Sequence, residues 1–266
     1  MPTRDNAPIG APCWVDLMTS DTERARGFYG RLFGWEADEP NDEFGGYFNF
    51  TKDGVLVAGC MANQADSGMP DVWSIYLATD DAEKSAAATT THGGQIYIPP
   101  MVIGDFGTMG FVGDCGGAGI GIWQPGEHQG FGVHAEPGTP SWFELHTRDY
   151  DAAVGFYRDV FHSDTQVVSD TPEFRYTLMV DGECLLAGIM DASAFLPEGV
   201  PAHWSIYFGV DDVDAALATI LDLGGSVDQA AEDTPYGRLA TAADPTGTRF
   251  KLRGPNAAPP AQDSST

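Results

Sequence analysis

The feature that most constrains this chain is an internal repeat. The segment PCWVDLMTSD at 12–21 returns as PSWFELHTRD at 140–149, and the motif WSIY at 73–76 returns at 204–207. Two further pairs keep nearly the same offset: the GFY runs at 27–29 and 155–157, and the Asp-x-x-Gly turns that begin at Asp114 and Asp244. Repeats that hold their spacing along most of a chain predict a tandem duplication.

Each copy of the repeat contains two similar units. In the first unit, an alternating segment at 14–19 precedes Asp21, a preferred helix N-cap residue, and apolar residues follow at helical spacing. β-rich segments at 47–51 and 55–61 come next, and the same order restarts at Val72. We therefore predict an α+β fold built from four strand–helix–three-strand (βαβββ) modules.

The repeat also divides the chain into domains. We expect a first domain at residues 1–130 and a second at 140–256, each made of two modules. Residues 131–139 contain two glycines and a proline, which is typical of a linker. Residues 257–266 are expected to form a disordered tail.

The charge balance excludes two classes of partner. The chain has 39 acidic and 13 basic residues, for a formal net charge of −26. Nucleic-acid binding and anionic membrane surfaces both require a basic face, so neither partner is expected. At 42% hydrophobic residues the chain can still bury a large core.

Membrane insertion and secretion are also not expected. The sequence has no apolar run long enough to span a bilayer, and its N-terminus lacks the apolar core of a signal peptide. Four cysteines at 13, 60, 115 and 184 form no CxxC pair and no zinc-like cluster. A cytoplasmic protein with reduced thiols is the expected interpretation.

The strand–Asp–helix–Phe-Tyr openings and the Asp244-Pro-Thr-Gly247 turn resemble those of the vicinal oxygen chelate superfamily, which includes glyoxalases, bleomycin-resistance proteins and extradiol dioxygenases. The resemblance covers residues 12 to 255. It implies that two modules curl one sheet around a cavity, so that four modules form two cavities. Whether modules pair as one with two and three with four, or as one with four and two with three, stays open.

The resemblance also implies where a metal would bind. Metal-dependent members carry a histidine seven residues before the first capping Asp and a glutamate seven residues after the Asp of the last turn. The matching positions in this chain hold poor metal ligands: Trp14, Ser74, Gly121, Trp142, Ser205 and Lys251. We therefore expect no metal and no other cofactor. Glu144, His146 and His203 could form a non-standard metal site, but polar residues of a wet cavity are the favoured interpretation.

Strand residues two positions apart share a face, which identifies the side chains that would line the cavities. The candidate ligand-binding residues are Trp14, Asp16, Met18, Ser74, Gly119, Gly121, Trp123, Trp142, Glu144, His146, His203, Ser205, Arg249, Lys251 and Arg253. Tryptophans supply flat walls for an aromatic ligand, and glycines leave volume. Because three of these residues are cations on one strand, we expect one roomy aromatic cavity and one basic cavity.

Two tryptophans and four histidines are not expected to line a cavity. Trp73 and Trp204 fall on the opposite strand face and are expected in the core. Four histidines near turns or helix ends are expected to face solvent: His92, His128, His134 and His162.

Three functions are compatible with these residues. The first is a metal-independent protein that sequesters or carries a planar aromatic metabolite or an antibiotic-like ligand. The second is a glyoxalase-like or hydroxylase-like enzyme of secondary metabolism with Asp16, Glu144 or His146 as general base. The third is a metallo-lyase or dioxygenase with displaced ligands. The expected partners are the small aromatic ligand and an enzyme of the same pathway, with the chain a monomer or a weak homodimer.

Overall fold

The computed structural model describes residues 6–64 and 68–257. The first half of the described chain consists of β1 (Pro12–Thr19), α1 (Thr22–Phe33), β2 (Glu36–Ala37), a short 3-10 helix (Asp42–Phe44), β3 (Phe48–Lys52), β4 (Val55–Ala62), β5 (Val72–Ala78), α2 (Ala82–Thr91), β6 (Gln95–Ile103), β7 (Gly107–Gly113) and β8 (Gly119–Pro125). The second half consists of β9 (Pro140–Thr147), α3 (Tyr150–Phe161), β10 (Asp164–Thr171), β11 (Phe174–Asp181), β12 (Cys184–Asp191), β13 (His203–Gly209), α4 (Val213–Asp222), β14 (Ser226–Thr234), β15 (Gly237–Ala243) and β16 (Arg249–Gly254).

The strands form two eight-stranded sheets, one in each half. Their orders are β2-β3-β4-β1-β5-β8-β7-β6 and β10-β11-β12-β9-β13-β16-β15-β14. Each sheet therefore joins two consecutive modules, which settles the open pairing as one with two and three with four. The predicted α+β fold of four modules is confirmed. The same register recurs in both sheets: Asp16 lies opposite Ser74 in the first, and Glu144 lies opposite Ser205 in the second.

The helices begin where the sequence places capping aspartates. Asp21 accepts a hydrogen bond from the backbone N–H of Arg24 at 3.0 Å, and Asp81 and Asp212 cap α2 and α4 in the same way. Such caps satisfy backbone donors that have no partner inside the helix. Asp149 precedes α3 without a side-chain cap bond. Helix α1 ends at Gly34, whose φ of 74° is a left-handed conformation that favours glycine.

The repeated motifs join the two halves through reciprocal hydrogen bonds. Tyr29 of α1 donates to Asp244 in the last turn of the second half, at 3.0 Å, and accepts from the Trp73 indole. In the opposite direction, Tyr157 of the second half donates to Asp114 of the first half and accepts from the Trp204 indole. Trp73 is buried and Trp204 is half-buried against the core, so both lie in the structural positions predicted for them.

Residues 126–139 connect the two sheets and are themselves packed. Phe131 is buried, its N–H donates to the Cys13 carbonyl, and its ring stacks on Phe143 of the second half. Of the predicted tail, all but Ala257 lies outside the described residues. Among the helices that the structure describes, none is long and apolar enough to cross a membrane.

Candidate functional site

The first half contains a cavity with a volume of about 570 Å³. Its lining is mainly aromatic and apolar, with carboxylates and amides among the rest. The residues that line it are Trp14, Asp16, Asp38, Glu39, Asn41, Phe44, Tyr47, Phe48, Asn49, Leu56, Met61, Tyr76, Ile103, Phe106, Met109, Trp123, Glu127 and His128. Pockets of this size and character are typical of sites for small organic ligands.

A carboxyl group held by aromatic donors lies in this first cavity. The Tyr47 hydroxyl donates to Asp16 Oδ1 at 2.7 Å, and the Trp14 indole donates to the same oxygen at 2.8 Å. Gly59 pairs with Asp16 on the adjacent strand, and any Cβ there would overlap the Tyr47 hydroxyl. The glycine is therefore required for the contact.

The surroundings of Asp16 shift its pKa upward. Burial raises the pKa of Asp16 above its usual value, although hydrogen bonds from Tyr47, Trp14 and Tyr76 act in the opposite direction. Burial disfavours the charged form when no cation compensates it. Among the described residues, no lysine or arginine lines this cavity.

His128 lies in the first cavity, so its predicted solvent exposure is wrong. Its ring makes edge contacts with Trp14 at 4.4 Å and with Trp123 at 5.4 Å between centroids. Burial lowers the pKa of His128 to about 4, so the ring is neutral at physiological pH. Its Nε2 atom is buried and has no hydrogen-bond partner within the described chain.

The second half encloses a smaller cavity of about 430 Å³. The residues that line it are Glu144, His146, Met190, Phe195, Tyr207, Gln229, Glu232, Thr234, Leu239, Ala240, Thr241 and Lys251. Its wall carries a buried carboxylate, Glu144, at the position that corresponds to Asp16. Glu144 accepts hydrogen bonds from Tyr176 at 2.9 Å, Tyr207 at 2.8 Å and His146 at 2.6 Å.

Glu144 is ionised at neutral pH, because its pKa is lowered whereas that of Asp16 is raised. Burial disfavours the charged form, but the hydrogen bonds from His146 and Tyr207 and the Lys251 ammonium outweigh it and lower the pKa of Glu144 to about 2. Lys251 Nζ lies 3.6 Å from Glu144 Oε1 and 3.0 Å from the Tyr207 oxygen.

The predicted basic character of the second cavity is wrong. Lys251 lines it, but Glu144 balances its charge and Glu232 adds a further carboxylate. Arg249 is exposed and pairs with Asp228 at 2.6 Å. Arg253 donates to the Tyr236 carbonyl at 3.1 Å. Cations at alternate strand positions share a face, but the ends of long side chains reach different partners.

A family model agrees with this architecture. The model named Glyoxalase/Bleomycin resistance protein/Dioxygenase superfamily matches residues 13–122 and 139–252. The chain belongs to this superfamily. Each half of the molecule is thus one superfamily domain, and the resemblance found in the sequence is confirmed.

Relatives of similar length occur in actinobacteria. CFP32 of Mycobacterium tuberculosis, whose name places it provisionally among the glyoxylases, is 38% identical over 263 residues, which cover 96% of this chain and 98% of CFP32. The anthracycline biosynthesis protein DnrV of Streptomyces peucetius is 34% identical over 260 residues, which cover 91% of this chain and 92% of DnrV.

Solved structures support the fold. The 2,3-dioxygenase LapB from Pseudomonas sp. KL28 gives a TM-score of 0.63 at 15% identity and covers 96% of both chains. The Mn(II)-bound glyoxalase from Novosphingobium aromaticivorans gives 0.60 at 16% identity, over 94% of this chain and 88% of that one.

The superfamily implies a divalent metal, but the residues of this chain do not fit one. In the second half, Lys251 stands where metal-dependent members carry a glutamate, and its ammonium is 3.2 Å from His146 Nε2. The positive charge of Lys251 lies beside the nearest side chains that could ligate a metal, so it repels a metal cation. Within residues 6–64 and 68–257, no three His, Cys, Asp or Glu side chains are grouped so that they could hold a metal ion.

The structure separates the predicted site residues into two sets. Those that line a cavity are Trp14, Asp16, Trp123, Glu144, His146 and Lys251. Those that line neither cavity are Met18, Ser74, Gly119, Gly121, Trp142, His203, Ser205, Arg249 and Arg253. Trp142 nevertheless donates to the Tyr176 hydroxyl at 3.1 Å, and the His203 ring lies 5.3 Å from that of His146. Gly121 leaves space for the Tyr76 ring, which its Cβ would overlap.

The tyrosines that hold the carboxyl groups are not among the residues predicted from the sequence. Tyr47 and Tyr76 act in the first half, and Tyr176 and Tyr207 act in the second. Both pairs lie at equivalent repeat positions. That recurrence was the signal that could have identified them.

Proposed function

We propose that the first cavity binds a small planar aromatic metabolite and does so without a metal ion. The observation that carries this proposal is the cavity of about 570 Å³ whose walls include the Trp14 and Trp123 rings. Flat ligands stack on such rings with a gain of about 0.5–1.5 kcal/mol beyond area burial.

Further rings extend the aromatic surface. Phe44 and Phe106 meet at 5.5 Å between centroids, and Phe106 remains 42% exposed. Phe44 belongs to the first module and Phe106 to the second, so a ligand bound against both rings contacts both modules. Met61 and Met109 complete the apolar lining with side chains that adapt to irregular shapes.

Polar groups in the cavity can orient the ligand. Asp16 and Asn41 line the cavity, and their polar groups can hydrogen bond with hydroxyl or carbonyl substituents. A few polar groups in an apolar pocket are the usual source of orientation and specificity. An aromatic ligand with oxygen substituents suits this arrangement.

The relatives support the same ligand class. DnrV and DauV, the latter 36% identical over 262 residues, are both named anthracycline biosynthesis proteins. Anthracyclines are planar polycyclic aromatic compounds. We therefore propose a role in the biosynthesis of, or resistance to, a compound of this kind, and we propose an enzyme of the same pathway as a partner.

Calorimetric titration with 1,4-dihydroxyanthraquinone tests the proposal. We expect saturable binding that Trp14→Leu weakens about tenfold, the change that about 1.4 kcal/mol produces. Trp142→Leu is the matched control, because Trp142 is the repeat equivalent of Trp14 and lines neither cavity. Equal losses in the two variants, or no loss in either, would contradict binding in the first cavity.

Asp16 favours a second candidate function, an enzyme that moves a proton on the bound aromatic compound. A carboxyl group with a raised pKa in a largely apolar cavity is suited to general acid–base chemistry. Glu144 is a weaker base because its pKa is about 2. Mass spectrometry of the incubated ligand separates the two functions. An altered ligand with wild-type protein and an unaltered one with Asp16→Asn would establish the enzyme.

A further inference from the structure

We propose that Lys251 in the second cavity is a nucleophile that forms an imine with a small aldehyde or ketone. This site is separate from the aromatic cavity of the first half. The test of this proposal is therefore independent of the function proposed for the first cavity.

Lys251 is placed where a ligand can reach it while its position stays fixed. It lies on β16 opposite Tyr207 of β13, and its side chain is 19% exposed. Lys251 is among the residues that line the cavity of about 430 Å³. A fixed amine in a concave, partly apolar site is the arrangement that activates lysines toward carbonyl compounds.

The hydrogen bonds around Lys251 leave part of its donor capacity unused. Nζ donates to the Tyr207 oxygen at 3.0 Å, and Tyr207 in turn donates to Glu144 at 2.8 Å. His146 Nε2 must carry its proton to bond with Glu144 at 2.6 Å, so it cannot accept one from Lys251. Glu144 itself is 3.6 Å from Nζ, beyond hydrogen-bond length.

The electrostatic environment favours nucleophilic attack. Burial lowers the pKa of Lys251 below its ordinary value, although Glu144 acts in the opposite direction. A larger share of this amine is therefore neutral than in an exposed lysine, and the neutral amine is the attacking species.

The step is balanced without an additional reactant. The ammonium group and the carbonyl compound give a protonated imine and one water molecule, since two of the three ammonium protons leave with the carbonyl oxygen. The C=O bond breaks, the C=N bond forms, and the charge on nitrogen is retained. Glu144 is therefore paired with a cation both before and after the reaction. Tyr207 and His146, 3.0 and 3.2 Å from Nζ, are the protic groups beside the reacting nitrogen.

The lining of the cavity indicates the class of carbonyl compound. Met190, Phe195 and Leu239 supply apolar surface, and Gln229 and Thr241 supply hydrogen-bonding groups. Glu144 already balances Lys251, and Glu232 adds a second negative charge, so an anionic compound is disfavoured. A small neutral aldehyde or ketone fits best.

Reductive trapping tests the proposal on the full-length protein. Lys52, Lys84 and Lys251 are the lysines of the sequence, which gives internal controls. With benzaldehyde and sodium cyanoborohydride near neutral pH, we expect benzylation of Lys251 to be several-fold faster than that of Lys84, because the amine of Lys251 lies in the cavity and burial lowers its pKa, whereas Asp81 raises that of Lys84. Peptide mapping by mass spectrometry assigns each site and separates the α-amino group.

Two variants complete the test. Lys251→Arg keeps the charge beside Glu144 but removes the nucleophile, so it should lose the fast phase of trapping, which is the benzylation of Lys251. Lys84→Arg, at an exposed ion pair with Asp81, should leave the fast phase unchanged. Trapping of Lys251 no faster than of Lys84 in the wild-type protein would overturn the proposal, whether or not either variant folds.

Discussion

The two cavities contain the same arrangement of side chains, but their surroundings shift the pKa of its carboxyl group in opposite directions. In each, a carboxyl group on the first strand contacts two tyrosines, and a glycine on the neighbouring strand leaves space for one hydroxyl: Asp16, Tyr47, Tyr76 and Gly59 in the first half, and Glu144, Tyr176, Tyr207 and Gly188 in the second. Burial raises the pKa of Asp16, whereas that of Glu144 is about 2.

The difference comes from two neighbouring positions. Met18 and Gly121 of the first half correspond to His146 and Lys251 of the second, which supply a hydrogen bond and a positive charge to Glu144. One scaffold thus supports an aromatic cavity with a carboxyl group that resists ionisation and a second cavity with a compensated ion pair. The chemistry of each half depends on the neighbours of the carboxyl group rather than on the shared strands and tyrosines.

The largest effect should separate the two carboxyl groups. At pH 7 we expect Glu144→Gln to lower the free energy of unfolding by about 3 kcal/mol, which corresponds to the drop in its pKa from 4.5 to about 2. Asp16→Asn should cost nothing or stabilise the fold, because ionised Asp16 opposes folding. Urea unfolding measures both, and equal losses would show that the halves do not differ in this way.

The same pair of variants should respond to pH in opposite directions. The folded-state pKa of Glu144 is depressed, so its contribution is present above about pH 4.5 and is lost as the pH falls toward 2. The gap between Glu144→Gln and wild type should therefore close across that window. The folded-state pKa of Asp16 is raised, so any gain from Asp16→Asn should grow as the pH rises above 3.8. Stability curves with parallel pH dependence would contradict the assignment.

A smaller effect should test what the halves share. A Cβ at Gly59 or Gly188 would overlap the hydroxyl of Tyr47 or Tyr176, so each alanine variant should lose about 1–3 kcal/mol of stability through overpacking. Gly155→Ala in α3 is the control, because no atom lies near its added Cβ, and it should stabilise the helix by about 0.5–1 kcal/mol. Thermal or urea unfolding measures the stability of the three variants. A loss confined to one half would mean that the arrangement is not shared.

Several site residues were predicted because their signals are local. Trp14 and Asp16, like Glu144 and His146, are two positions apart on a strand, and that alternation alone assigns a common face. The exposure of His128 was predicted wrongly because its burial depends on Trp14 and Trp123, which are contributed by strands distant from each other in sequence. The ends of long side chains were also beyond prediction, since Arg249 and Arg253 share a strand face with Lys251 but reach other partners.

By itself the sequence determined the duplication, the four modules, the superfamily and the strand faces, because repeat spacing, capping residues and strand alternation are all properties of short segments. The tertiary structure decided which modules share a sheet and which side chains surround each carboxyl group. Those contacts join residues far apart in the chain, such as Glu144 with Tyr207 and Lys251. The charge state of a buried group depends on its burial and on all of its spatial neighbours, which the residues beside it in sequence determine only in part.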